Sequence, residues 1–119
     1  MTALIYFLVG IVAFQHLLFF WMEAMVWESF GRKVFGGTRE FFKSTKSLAA
    51  NQGLYNGFLA GGLIWSFFVQ PDFAWQIQVF FLFCVWVAGI FGAFTVSKKI
   101  FWVQGLPAMI TLILIMINR

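Results

Sequence analysis
Ala49-Ala50-Asn51-Gln52-Gly53-Leu54-Tyr55-Asn56-Gly57-Phe58-Leu59-Ala60-Gly61-Gly62-Leu63 places three amides, a phenol and a row of glycines inside an otherwise apolar segment. On a helix, Ala49, Gly53, Gly57 and Gly61 recur every four residues and form one small-residue ridge. Asn51, Tyr55 and Phe58 share a second face, and Gln52 with Asn56 a third beside it. Small residues at this spacing let a neighbouring helix approach backbone to backbone, which is how helices associate in a bilayer, where hydrophobicity does not drive them together. The amides need hydrogen-bonding partners from elsewhere in the chain.

The surrounding composition supplies the setting. Over 119 residues, 62% are hydrophobic, 22% aromatic and only 10% charged, against about 25% charged in soluble domains. The chain therefore reads as an integral membrane protein whose first partner is the lipid bilayer. No segment resembles a soluble domain or a linker, so one transmembrane domain over 1–119 is expected. A net charge of +4 does not signal nucleic acid here, because the basic residues lie between apolar runs and act as topology signals. The N-terminal apolar run lacks the features of a cleaved secretory signal and is expected to stay as a span.

A helical span needs roughly 20 mostly apolar residues to cross a core of about 30 Å. Four segments qualify: Ala3 to Trp27, Leu48 to Val69, Phe73 to Val96, and Ile100 to Ile117. The expected fold is all-α, a transmembrane four-helix bundle. The connection from Glu28 to Ser47, together with Lys98 and Lys99, holds seven of the eight Lys and Arg residues. The positive-inside rule makes that side cytoplasmic, with both termini outside. Within the connection, Phe35-Gly36-Gly37 is a break and Thr38 is an expected N-cap for a helix beginning Arg39-Glu40. That helix either runs into the second span at headgroup level or is a solvated loop. Pro71 is expected to close the second span, and Pro107 to kink the fourth near Val103 and Gln104.

Counting residues from the cytoplasmic ends of the first two spans puts Glu23 level with Asn51 and Gln52. His16 comes out level with Phe58, one turn above Asn56. Most hydrogen-bonding side chains fall in the cytoplasmic half, while the outer half offers Tyr6, Ser66 and, near the interface, Gln76 and Gln78. A continuous pore needs polar lining at every depth, so a channel through one copy is disfavoured.

An ionisable residue inside a span is a functional-site candidate, since burial of the charged types costs at least about 2.5 to 3.5 kcal/mol on insertion scales. Glu23 is the strongest candidate: neutral, it is an acid or proton carrier; ionised, a counter-ion for a cation. The structural alternative is that it reaches water or pairs with Lys46 or Arg32. His16 is a candidate relay, about 10 Å up the same helix, or else a neutral histidine bonded to an amide. Asn51, Gln52, Tyr55, Asn56 and Gln104 are candidate binding residues, or interhelical glue. Gly53, Gly57 and Gly61 are assigned to helix packing, in one copy or a homo-oligomer. One His and the lone Cys84 do not make a metal-ligand set. No cofactor is signalled, and there is no phosphate-binding loop, GxSxG or HExxH.

The order of these features resembles a bacterial family of small four-span membrane proteins of this length, designated a domain of unknown function. The resemblance is carried by Gln15-His16 with Glu23, by Gly31-Arg32-Lys33-Val34-Phe35-Gly36, by Ala49 to Ala60, and by Gln104-Gly105-Leu106-Pro107-Ala108. It implies a four-span fold and no particular activity. The expected function is a polar intramembrane pocket in the cytoplasmic half for a small amphipathic or lipid-like ligand. The alternatives are a proton-coupled small-solute transporter working as an oligomer, and an accessory subunit of a larger membrane complex.

Overall fold
In hydrocarbon every backbone N–H and C=O must be satisfied within the segment, so long apolar sequence folds as helix. The computed structural model describes residues 1–119 and follows that rule, with helices and no strands. We name α1 (Thr2–Met25), α2 (Arg32–Phe35), α3 (Arg39–Ser44), α4 (Lys46–Trp65), α5 (Pro71–Thr95) and α6 (Lys98–Asn118). Three of these, α1, α5 and α6, are long and apolar enough to cross a membrane. With 20 residues, α4 has the length, but its amides and glycines dilute its apolar character.

The chain divides into two compact units, one of residues 14–60 and one of residues 1–13 with 61–119.

In the second of these units, the core is built on close backbone contact. A Cβ on Gly89 of α5 would come within 2.6 Å of Gly105 Cα in α6, and a Cβ on Gly92 within 2.7 Å of Ile100. Only glycine permits the first approach. The Phe81 ring lies directly over Gly62, where no side chain fits. Buried Gln78 donates from Nε2 to Ser66 Oγ at 3.2 Å, and Ser66 donates onward to the Leu63 carbonyl at 2.6 Å. Gln78 is thus part of the protein core. At the far end, the Arg119 guanidinium stacks 4.1 Å from the Trp75 ring centroid.

Both prolines fall where the helical geometry changes. Pro71 opens α5, with extended Gln70 before it, because proline has no N–H to lose in the first turn. Before Pro107, the chain takes a π-helical turn over Phe101–Gly105. The wider turn absorbs the hydrogen bond that proline cannot donate, which is a recognised source of such bulges.

In the unit of residues 14–60, α1 ends where Val26 leaves helical geometry (φ −132°, ψ 34°), and a π-helical turn follows over Trp27–Gly31. The connection from there to α4 is largely helical, in α2 and α3, with residues 33–41 exposed. Trp27 Nε1 donates to Thr45 Oγ1 at 3.0 Å, and its ring packs on Phe42 with centroids 4.8 Å apart. Phe42 is 1% exposed, whereas its neighbour Phe41 is half-exposed. Gly36 and Gly37 take positive φ (73° and 120°), which reverses the chain at the expected break. Thr38 then caps α3, its side chain accepting from the Phe41 N–H at 3.1 Å. The backbone hydrogen bonds Thr45 N to Phe41 O (3.0 Å) and Ala49 N to Thr45 O (2.9 Å) carry α3 into α4.

Candidate functional site
Close contact between α1 and α4 begins at Gly53. A Cβ there would lie 3.0 Å from Glu23 Cβ, 3.1 Å from the Ala24 nitrogen and 3.2 Å from the Phe20 carbonyl oxygen. One turn on, a Cβ on Gly57 would lie 3.4 Å from the Phe20 ring. The ridge expected from the four-residue spacing is therefore used at Ala49, Gly53 and Gly57, all buried or half-buried. It stops there: a Cβ on Gly61 would meet nothing within 4 Å.

This approach sets Glu23 beside the amide face of α4. Asn56 Nδ2 donates to Glu23 Oε1 at 2.6 Å, and Gln52 Nε2 lies 3.4 Å from Oε2. The first contact is close, while the second is long and weak. Asn56 is buried, Glu23 half-buried and Gln52 exposed, so one carboxylate oxygen is held firmly and the other faces more open space. Neither Lys46 nor Arg32 takes Glu23 as an ion-pair partner. Lys46 Nζ instead pairs with Glu28 Oε1 at 3.2 Å.

Beside Glu23 is a cavity of about 320 Å³ whose lining includes Met25, Val26, Glu28, Arg32, Arg39 and Lys46. Its lining mixes charged side chains with the apolar end of α1. Arg39 and Glu28 were not expected at a site from the sequence. The signal that could have found them is the Gly36-Gly37 reversal, which folds the start of α3 back toward the end of α1.

The remaining candidate residues separate. His16 is fully buried, its ring edge-on to Phe19 at a centroid distance of 5.3 Å. Asn51 and Tyr55 lie on the other polar face of α4, both exposed, with the Tyr55 ring tilted against Phe58 at 6.1 Å. The structure thus brings Glu23, Gln52 and Asn56 together and sets Asn51 and Tyr55 apart from them. Gln104 is half-buried in the π-helical turn of α6. Thr95 and Thr111 spend their hydroxyls on the carbonyls of Phe91 and Pro107, each at 2.8 Å, as is common for hydroxyls inside apolar helices.

Comparison with known proteins adds kinship without an activity. "Uncharacterized protein YpaA" of Lactococcus lactis subsp. lactis is 34% identical over 70 residues, 59% of this chain. The match spans 58% of that relative's length. No solved structure matches the chain significantly. The family described as "Protein of unknown function (DUF1304)" matches residues 10–116. With nearly the whole length of the chain aligned to it, from the middle of α1 to the last turn of α6, this protein belongs to the DUF1304 family.

Proposed function
We propose that the protein is a four-span membrane protein of the bacterial inner membrane, N-out and C-out, whose Glu23 site binds or acts on a small amphipathic molecule entering from the cytoplasmic half. At 1.5 Å per residue, the 20 residues of α4 reach about 30 Å, the thickness of the hydrocarbon core. In this reading α4 is the fourth span, less apolar than the others because it carries the site. The basic residues of the connection lie on the cytoplasmic side.

The observation that carries the proposal is the convergence of two amide side chains on one carboxylate beside a cavity. Interhelical hydrogen bonds that serve only packing need no adjacent space, and an acid is a costly choice for packing. Glu23 acts as acid, base or counter-ion, with Asn56 holding one oxygen and Gln52 adjusting to the occupant. His16, about two turns away, is a relay when a water or the ligand bridges the gap. The exposed Asn51 and Tyr55 face and the unoccupied space at Gly61 support a homo-oligomer, since polar groups facing lipid need partners.

Native mass spectrometry of protein released from gently extracted membranes tests the site. The expected result is a defined adduct on the wild type, lost from Glu23→Gln while that variant keeps its oligomeric mass. A wild type that carries no adduct, or a Glu23→Gln variant that retains it, would overturn the proposal.

A further inference from the structure
The connection between α1 and α4 has more structure than a topology signal requires. After α1 ends at Met25, the π-helical turn brings Gly31 under the Trp27 ring, so closely that a Cβ there would lie 2.7 Å from it. Arg32 begins α2 immediately afterwards, and its Nε donates to the Gly37 carbonyl at 3.3 Å. That bond spans the positive-φ reversal at Gly36 and Gly37. Thr38 then caps α3, which starts at Arg39. The outcome is that Arg32 and Arg39, seven residues apart, line the same cavity as Glu23.

The charges around this cavity do not cancel locally. Lys46 and Glu28 neutralise each other at 3.2 Å. Glu23 accepts from Asn56 and Gln52. Arg32 and Arg39 have no carboxylate within ion-pair distance, although Glu23 and Glu28 line the same space. Two guanidinium groups therefore face a cavity that also presents a hydrogen-bond acceptor, with Met25 and Val26 on its apolar wall. A complementary occupant has an anionic group for the arginines, a donor for Glu23 and an apolar portion continuing past Met25. Guanidinium groups match phosphate oxygens with paired N–H bonds. The cavity lies where a 24-residue apolar helix ends, the level at which lipid phosphates are found.

We infer that this cavity binds the headgroup of a phosphate-ester amphiphile bearing an ammonium or hydroxyl donor, with the phosphate on Arg32 and Arg39 and the donor on Glu23. The inference rests on the reading of Glu23 as a ligand site and names the class of that ligand. A choline headgroup, whose quaternary nitrogen has no N–H, satisfies the arginines and leaves Glu23 without a donor.

The test is native mass spectrometry of the full-length protein in detergent, titrated separately with phosphatidylethanolamine, phosphatidylglycerol and phosphatidylcholine. Parallel arms use soluble phosphoethanolamine and inorganic phosphate as competitors. The variants are Arg32→Gln with Arg39→Gln, Glu23→Gln, and a charge control of Lys33→Gln with Lys43→Gln, two exposed residues outside the cavity lining. The expected result is about tenfold weaker lipid retention in the double arginine variant, the scale of a lost charge-assisted contact. The lysine control should stay near wild type, and Glu23→Gln should lose the preference for donor-bearing over choline headgroups. Equal losses in the lysine and arginine variants would overturn the inference in favour of general surface attraction. Retention that depends on Glu23 but not on the arginines would overturn it while leaving the Glu23 site intact. Retention indifferent to Glu23 and the arginines alike would overturn both. Competition by phosphoethanolamine at concentrations that do not perturb the micelle would support the same chemistry and assign its source to a soluble phosphate ester.

Discussion
Two polar arrangements in this protein handle the same physical problem in opposite ways. Between α4 and α5, Gln78, Ser66 and the Leu63 carbonyl form a neutral chain of hydrogen bonds closed on itself, with Gln78 and Ser66 almost wholly buried. At Glu23, an acid receives two amides, one at 2.6 Å and one at 3.4 Å, beside a cavity lined by two arginines that have no ion-pair partner. The first arrangement has the character of packing glue, each bond contributing about 0.6 to 2 kcal/mol. The second keeps spare hydrogen-bonding capacity next to open space. A buried polar residue in a membrane helix is therefore informative chiefly through what remains unsatisfied around it.

Breaking the packing without touching either polar group should have the largest effect. Gly89→Val places a side chain against the Gly105 backbone, where no flexible atom can yield. Overpacking at such a contact costs about 3 kcal/mol or more, and the variant should fail to give folded protein in a denaturant-resistance assay. Next comes Glu23→Gln, expected to lower ligand retention by about tenfold or more, about 1.4 kcal/mol, while unfolding shifts little because Asn56 still finds an oxygen acceptor. Gly53→Ala sharpens that result. Its Cβ would press on Glu23 and Ala24 at 3.0–3.1 Å, so ligand retention should fall more than stability does. Gln78→Leu should do the reverse, lowering stability by about 1 kcal/mol with retention unchanged, since Ser66 keeps its bond to Leu63. Arg119→Ala should have the smallest effect, about 0.5 kcal/mol for an exposed cation–π contact. If Gln78→Leu and Glu23→Gln behave alike, the contrast between glue and site fails.

Much of the site was legible because polar and small residues stand out in apolar sequence. Counting turns from Trp27 and Ser47 put Glu23 level with Asn51 and Gln52, whereas the structure bonds it to Gln52 and Asn56 and leaves Asn51 apart; the division of the α4 amides into two faces is the one the structure displays. The Thr38 cap and the break at Gly36 and Gly37 carry local chemistry that needs no tertiary context. Other positions were not legible. Gly61 continues the four-residue spacing and meets nothing, while Gly62, outside that spacing, takes the Phe81 ring. The cause is that lipid and protein interior are about equally apolar, so a phenylalanine-rich helix has no hydrophobic gradient to reveal which face packs.

Composition and spacing by themselves determined that this chain is helical and suited to a membrane, since backbone groups in hydrocarbon have few other ways to be satisfied. They also picked out Glu23 and its amides, because each polar group in such a setting carries a desolvation cost that its neighbours must offset. Only the tertiary structure decided which glycines touch, that the Trp27, Phe42 and Thr45 cluster orders the basic connection, and that Arg32 and Arg39 line one cavity with Glu23. Those outcomes depend on the direction of the chain after the π-helical turn and the glycine reversal, where small changes in backbone angle redirect everything that follows.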